Sequence, residues 1–265
     1  MMTVPRLISR ATAKRVLWGT EATGKVSDIY YHSDEDLHVI EFGLGRGDKW
    51  VHAPEKRTLF AADEVYHVLE GTLVVANPET GEVCRVPAGH SVFFRRDTWH
   101  HGFAHRGPVR VIEFMAPTPA QGVTQAYART QPYLPEEDWR YAEGNWEGRW
   151  PMERSDRHPG FTVVSPQERL WSVDDPRGIL LLGMVCFTEH LAVYAAELEG
   201  DAWTRPASYR GTGVALVTAG TLQVRGGGET LTVAAGDAVY LPPGSEFSYR
   251  SEEADFLLGI GHRPG

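Results

Sequence analysis

Short runs of apolar or alternating residues, cut every few positions by Gly, Pro or Asp, dominate this chain. They predict strands at Asp36–Phe42, Glu64–Leu69, Gly71–Val75, Ser91–Phe94 and Val109–Phe114. A second series follows at Leu191–Ala196, Val214–Val217, Leu222–Val224, Ala238–Leu241 and Phe256–Ile260. Asn77-Pro-Glu-Thr-Gly81 and Gly226-Gly-Gly228 fall where hairpin turns belong. Strands this short, with this punctuation, predict antiparallel sandwiches or barrels rather than long helices.

The two series repeat one another in order. Arg15-Val-Leu-Trp18 is echoed by Glu168-Arg-Leu-Trp171, and Asp36-Leu-His-Val-Ile-Glu41 by His190-Leu-Ala-Val-Tyr-Ala195. Gly47-Asp-Lys-Trp50 matches Gly200-Asp-Ala-Trp203, Glu70-Gly-Thr-Leu73 matches Ala219-Gly-Thr-Leu222, and Pro87-Ala-Gly89 answers Ala235-Gly236. A duplication is the economical reading. Two small β-barrels in tandem are expected, over 1–117 and 161–265. The stretch 118–160 between them lacks strand periodicity and carries Trp139, Trp146 and Trp150. A connector this aromatic is expected to pack on a barrel or a second subunit, with a helical turn near Gln121–Arg129.

Composition narrows the function classes. The formal charge is −9 with no Lys/Arg-rich run, which argues against a nucleic-acid partner. No apolar run reaches the ~18 residues of a membrane span, and the first residues lack the apolar core of a secretory signal. Cys84 and Cys186 are the only cysteines, far apart and outside any CxxC, which fits a reducing, cytoplasmic setting.

The candidate chemistry sits in the first copy. Glu64-x6-Gly71, closing on Val68-Leu-Glu-Gly71, followed by Gly89 and then His100, resembles the metal-binding motifs of the cupin superfamily. The repeat extends the resemblance to both halves, so the chain is similar to bicupins, tandem jelly-roll barrels. The family commonly binds a divalent transition metal through three His and one Glu. Carried over residue by residue, Glu64 and His100 fall on ligand positions, while the His-x-His pair is missing. Its positions carry Arg57 and Leu59, or Thr58 and Phe60, in a stretch longer than the pattern. His52 and Glu55 are the nearest other donors. With His52, Glu64 and His100 would make a two-His, one-carboxylate set with open positions, suited to Fe first and then to Mn, Ni, Cu or Zn; a site with no metal is the alternative. In the second copy the four positions hold Pro206, Ser208, Gly213 and Phe247, so no metal is expected there.

Strand alternation puts Glu64, Tyr66 and Val68 on one face, and His100, Gly102 and Ala104 together. Small residues beside His100 predict a hollow first barrel; Phe247 and Tyr249 predict a packed second one. Tyr66 is the candidate proton-transfer group beside Glu64 and His100, and Arg57 the candidate anchor for a substrate anion. His67, His90, His101 and His105 read as structural or surface residues, and Arg95 and Arg96 as a solvated turn paired with Asp97.

Three functions follow from the resemblance. The first is a metal-dependent enzyme acting on a small oxygenated organic substrate by dioxygenase-type oxidation, with isomerase, cyclase or decarboxylase chemistry as variants. The second is a metal-free acid–base enzyme using Glu64 and His100. The third is a non-enzymatic small-molecule binder. A homodimer that covers exposed sheet edges is expected in each case.

Overall fold

The computed structural model describes residues 4–21, 23–51, 60, 62–77, 80–96, 98–118 and 160–262. His52, Glu55, Arg57, Asp97, the turn at Gln121–Arg129 and the three connector tryptophans lie outside them. Every element described is a strand, apart from one 3-10 turn at Pro166–Glu168.

The N-terminal half contributes β1 (Arg6–Ile8), β2 (Lys14–Thr20), β3 (Gly24–Ser33), β4 (His38–Leu44), β5 (Lys49–Trp50), β6 (Asp63–Glu70), β7 (Thr72–Ala76), β8 (Val83–Pro87), β9 (Ser91–Phe94), β10 (His101–Ala104) and β11 (Val109–Ala116). The C-terminal half contributes β12 (Thr162–Val164), β13 (Leu170–Val173), β14 (Leu180–Phe187), β15 (Leu191–Glu199), β16 (Thr212–Gly226), β17 (Glu229–Ala234), β18 (Ala238–Leu241), β19 (Phe247–Arg250) and β20 (Glu253–Gly261). Every predicted strand is present. Val214–Val217 and Leu222–Val224 are one strand, however. Their chain stays paired through a register shift at Val217/Ala219 and bends from β18 and β20 onto β17 and β19.

The duplication is visible in the pairing. One sheet runs β2-β3-β4-β11-β6-β9-β12; its counterpart runs β13-β14-β15-β20-β16-β18-β1. A smaller sheet, β5-β10-β7-β8, completes the N-terminal half, and β17 and β19 take its place in the other. The last strand of each large sheet comes from the opposite half. Thus β1 pairs β18, with Arg6 opposite Tyr240, and β12 pairs β9, with Thr162 opposite Phe93. A cut between 117 and 161 therefore assigns each of these two strands to the half it does not pair with.

Alternation sorts the apolar residues into three cores. Val111, Val68, Val75 and Phe42 fill the N-terminal interior, while Ala215, Val217, Phe256 and Leu258 fill the C-terminal one. Their neighbours Val65, Ile112 and Phe114 face outward and meet Val193, Leu216 and Leu257 of the other sheet. Burial of this shared layer stabilises by ~25 cal/mol per Å² of apolar surface. Its closeness is set by Gly259: a Cβ there would lie 2.2 Å from the Phe114 ring.

Polar ties rim this layer. Glu41 accepts from Arg10 at 2.7 and 2.9 Å and from Arg110 at 2.9 Å, and Tyr31 Oη donates to the Gly236 carbonyl at 2.8 Å. The Arg10 backbone N–H donates to Asp237 at 2.8 Å, and Thr212 Oγ1 to Asp34 at 2.8 Å. Burial alone would raise the Glu41 carboxyl, but the hydrogen bonds from Arg10 and Arg110 outweigh it and hold the group at about 2. A carboxyl held low contributes stability that is present above its unfolded value of 4.5 and is lost as pH falls toward 2. Glu41→Gln should cost about 2 kcal/mol at neutral pH. In urea titrations across pH, the gap between variant and parent should close between about pH 4.5 and 2; a gap that persists at pH 2 would refute this account.

Candidate functional site

Strand β6 passes through the N-terminal half with Glu64 and Tyr66 turned inward, as its pleat requires. His100 enters just before β10, and all three side chains are buried. His100 Nδ1 lies 2.8 Å from the Thr98 carbonyl, which only accepts, so Nδ1 carries a proton. In the neutral ring Nε2 is then an acceptor, and it lies 2.8 Å from Tyr66 Oη. Tyr66 Oη is 3.4 Å from Glu64 Oε2, and the direct Glu64–His100 distance is 3.9 Å. The structure brings Glu64, Tyr66 and His100 into one connected group.

Glu113 is not among the residues the sequence singles out, yet it shapes the electrostatics. It sits on β11 opposite Tyr66 and is buried. Burial raises the Glu64 carboxyl well above the ordinary range, and the charge of Glu113 adds to this. Glu113 is itself raised, by burial and then by the charge of Asp28. Both carboxyls are thus displaced toward the protonated form. The available signal is a lone acid inside the apolar run Val-Arg-Val-Ile-Glu-Phe-Met.

Aromatic rings stand around His100: the Trp50 ring centroid is 5.1 Å away, and Phe94 and Phe60 are at 4.4 and 6.0 Å. A Cβ at Gly102 would fall 2.5 Å from the Trp50 indole, so the small residue makes room for Trp50. In the C-terminal half Phe247 and Tyr249 are buried in the interior, as expected, and a separate cavity of about 450 Å³ is lined by Pro206, Tyr209, Ile260 and their neighbours. Arg95 is exposed, as expected, and its ion pairs reach farther than its own turn: it pairs with buried Asp63 at 3.1 Å and with Glu189 of the other half at 2.6 Å. His67 and His101 are structural as expected: His67 Nδ1 is 2.9 Å from Ser91 Oγ, and His101 packs edge-on to Trp99.

Among the described residues, no group of three or more His, Cys, Asp or Glu is placed to hold a metal ion. Glu64 and His100 supply two donors, and the Nε2 lone pair already accepts from Tyr66. Two protein donors do not make a transition-metal centre of the usual kind. His52, the expected third, lies outside the described residues.

Comparison with known proteins agrees with this architecture. The putative glyoxylate induced protein of Pseudomonas aeruginosa superposes with a TM-score of 0.70 at 15% identity, covering 100% of this chain and 91% of that one. Oxalate decarboxylase from Bacillus subtilis superposes at 0.67 with 13% identity, covering 99% and 77%. AerE from Microcystis aeruginosa follows at 0.63 and 8%, covering 95% and 98%. The chain has an all-β fold of the cupin type. A family profile for AraC-like ligand binding domains matches residues 190–259. No curated protein matches the sequence.

In this cupin-type fold the Trp50–Gly102 contact leaves no room for a larger residue at 102. Gly102→Ala should cost about 1–3 kcal/mol by overpacking. Adding Trp50→Phe should recover part of that loss in thermal unfolding; equal melting temperatures for Gly102→Ala and the parent would refute the contact.

Proposed function

We propose that this chain is an enzyme of the proton-transfer type, acting on a small oxygenated organic molecule in the N-terminal of two tandem cupin-type barrels, 1–117 and 161–265. The observation that carries the reading is the Tyr66 hydroxyl, bonded to His100 Nε2 at 2.8 Å and within 3.4 Å of Glu64. With the proton on Glu64, the carboxylic acid donates to Tyr66 and Tyr66 donates to Nε2. With the proton on His100, both bonds reverse: Nε2–H donates to Tyr66, which donates to the Glu64 carboxylate. A proton thus passes between two sites without heavy-atom movement.

Isomerisation or decarboxylation uses such a pair directly. In isomerisation His100 Nε2, once the Tyr66 hydroxyl turns from it, takes a proton from the carbon beside a carbonyl group, and Glu64 returns one to the resulting enolate. In decarboxylation of a β-keto acid the bond to the carboxylate breaks, CO2 leaves, and Glu64 protonates the enolate carbon. Burial excludes water and raises the Glu64 carboxyl, which favours the protonated form that a general acid needs. Trp50 or Phe60 must swing aside to admit the substrate, and Arg57 is the proposed anchor for its carboxylate. A homodimer and a cytoplasmic setting complete the proposal. No helix among the described residues is long and apolar enough to cross a membrane.

A panel of β-keto acids and hydroxy ketones in D2O, followed by proton NMR, tests the reading. Deuterium uptake or decarboxylation by the parent should fall ~10²-fold or more in His100→Ala and Tyr66→Phe. Unchanged rates in both variants would sink it.

A metal-dependent, dioxygenase-type oxidation is favoured by a different observation. The Nδ1 bond to Thr98 turns Nε2 toward Glu64, the orientation a shared ion would need. His52 or another donor would have to complete the set. Metal analysis separates the two readings. The proton-transfer reading expects below ~0.2 equivalents and rates indifferent to chelator. A full equivalent lost in Glu64→Gln would establish the metal instead.

A further inference from the structure

The C-terminal cavity lies outside the Glu64–His100 group and has chemistry of its own. We propose that it is a second, metal-free binding site for a small hydroxylated carboxylate with an apolar body, of the hydroxybenzoate type. Its volume, about 450 Å³, falls within the ~300–1,000 Å³ of sites that enclose small organic ligands. The positions where the metal motif would set its paired histidines hold Pro206 and Ser208, which line the cavity and supply no metal donor.

The polar groups of the lining fall into two kinds. Asp175 is committed to structure: it receives Arg177 through two bonds of 2.9 Å and the Arg205 backbone N–H at 2.9 Å. Among the described residues, Asp174 and the Arg205 guanidinium have no hydrogen-bond or ion-pair partner, and His262 Nε2 is buried without one. These three are left for a ligand to satisfy, together with the Tyr194 and Ser208 hydroxyls, which also have no partner among the described residues.

Their placement is fixed before any ligand arrives. The Asp175–Arg205 bond ties the rim segment to the Asp174 loop. Thr204 and Ala207 bond to Tyr249 and Phe247 of β19, each at 2.8 Å, and the Gly244 N–H holds the Tyr209 carbonyl at 2.7 Å. A preformed rim loses little freedom on binding.

The ligand class follows from what these groups demand. A guanidinium with free N–H groups matches a carboxylate fork-to-fork. Burial first, then the charge of Asp175, raises the Asp174 carboxyl, which suits it to exchange hydrogen bonds with a hydroxyl. A ligand cation would face Arg205. The lining also holds Leu182, Leu258, Ile260 and the Tyr194 ring, apolar surface that a free sugar would leave against its hydroxyls and a flat apolar body covers.

Calorimetric titration of the full chain tests this with 4-hydroxybenzoate, 4-hydroxybenzyl alcohol and glucose as probes. The parent should bind one equivalent of 4-hydroxybenzoate with sub-millimolar affinity, and glucose not at all. The alcohol, which lacks the carboxylate, and the variant Arg205→Gln should each weaken binding about tenfold or more, the loss expected for one charge-assisted contact. Ser208→Trp, at the exposed lip, should abolish it, and Glu64→Gln should leave it unchanged. Arg205 and Ser208 are exposed, so both variants should keep the parent's circular dichroism. The proposal is overturned by no saturable heat up to ~10 mM acid, by binding that survives Arg205→Gln and Ser208→Trp, or by loss of binding in Glu64→Gln.

Discussion

The two large sheets are packed face to face, and most of the molecule follows from that contact. A sheet covered on both sides has no solvent face on which to place its polar residues. Val109–Ala116 and Leu191–Ala196 are accordingly almost wholly buried. A polar side chain in such a strand must find a partner in the shared layer or turn into an interior. Glu41 and Asp63 take the first course, with arginines as partners. Glu64 and Glu113 take the second. Burying a carboxylate without a cation favours its protonated form, so the raised Glu64 carboxyl is a by-product of sheet packing.

Strand exchange enforces the contact. Each large sheet is completed by a strand that precedes the opposite half's own series, β1 on β18 and β12 on β9. Without it, β9 or β18 would be a bare edge. The halves are therefore alike in strand order and joined by pairing.

Much of this was legible in the sequence, because it is local. Alternation and turn residues marked the ten predicted strands, and the repeated Gly-Asp-x-Trp and Gly-Thr-Leu segments exposed the duplication. Glu64, Tyr66 and His100 were brought together by pleat parity and motif spacing. What the sequence hid was non-local. Strands β3 and β14 carry mixed patterns, since β3 turns Asp28 inward where it accepts from Trp18 at 2.7 Å. Glu113 looked like one acid among many until its register opposite Tyr66 was known. Local side-chain size says nothing about which distant side chain arrives beside His100. Beside Gly102, the arrival is Trp50.

That contact also explains how two copies of one frame came to differ inside. Trp50 and Trp203 end matching segments, and Gly102 and Tyr249 occupy matching places in β10 and β19. Where the strand residue is Gly, the indole enters, is buried and lies over His100. Where it is Tyr249, the ring itself fills that interior position, buried beside Phe247 and Phe256. Trp203 then remains outside, under Arg225 at 4.5 Å and Arg250 at 5.7 Å. An indole cannot share space with a side chain whose first carbon would already lie 2.5 Å from it. One glycine-for-tyrosine difference thus decides which side of the sheet the tryptophan takes. The N-terminal interior becomes a tight aromatic box around a proton-bearing group, while the C-terminal half, with its tryptophan outside, keeps open volume at its mouth.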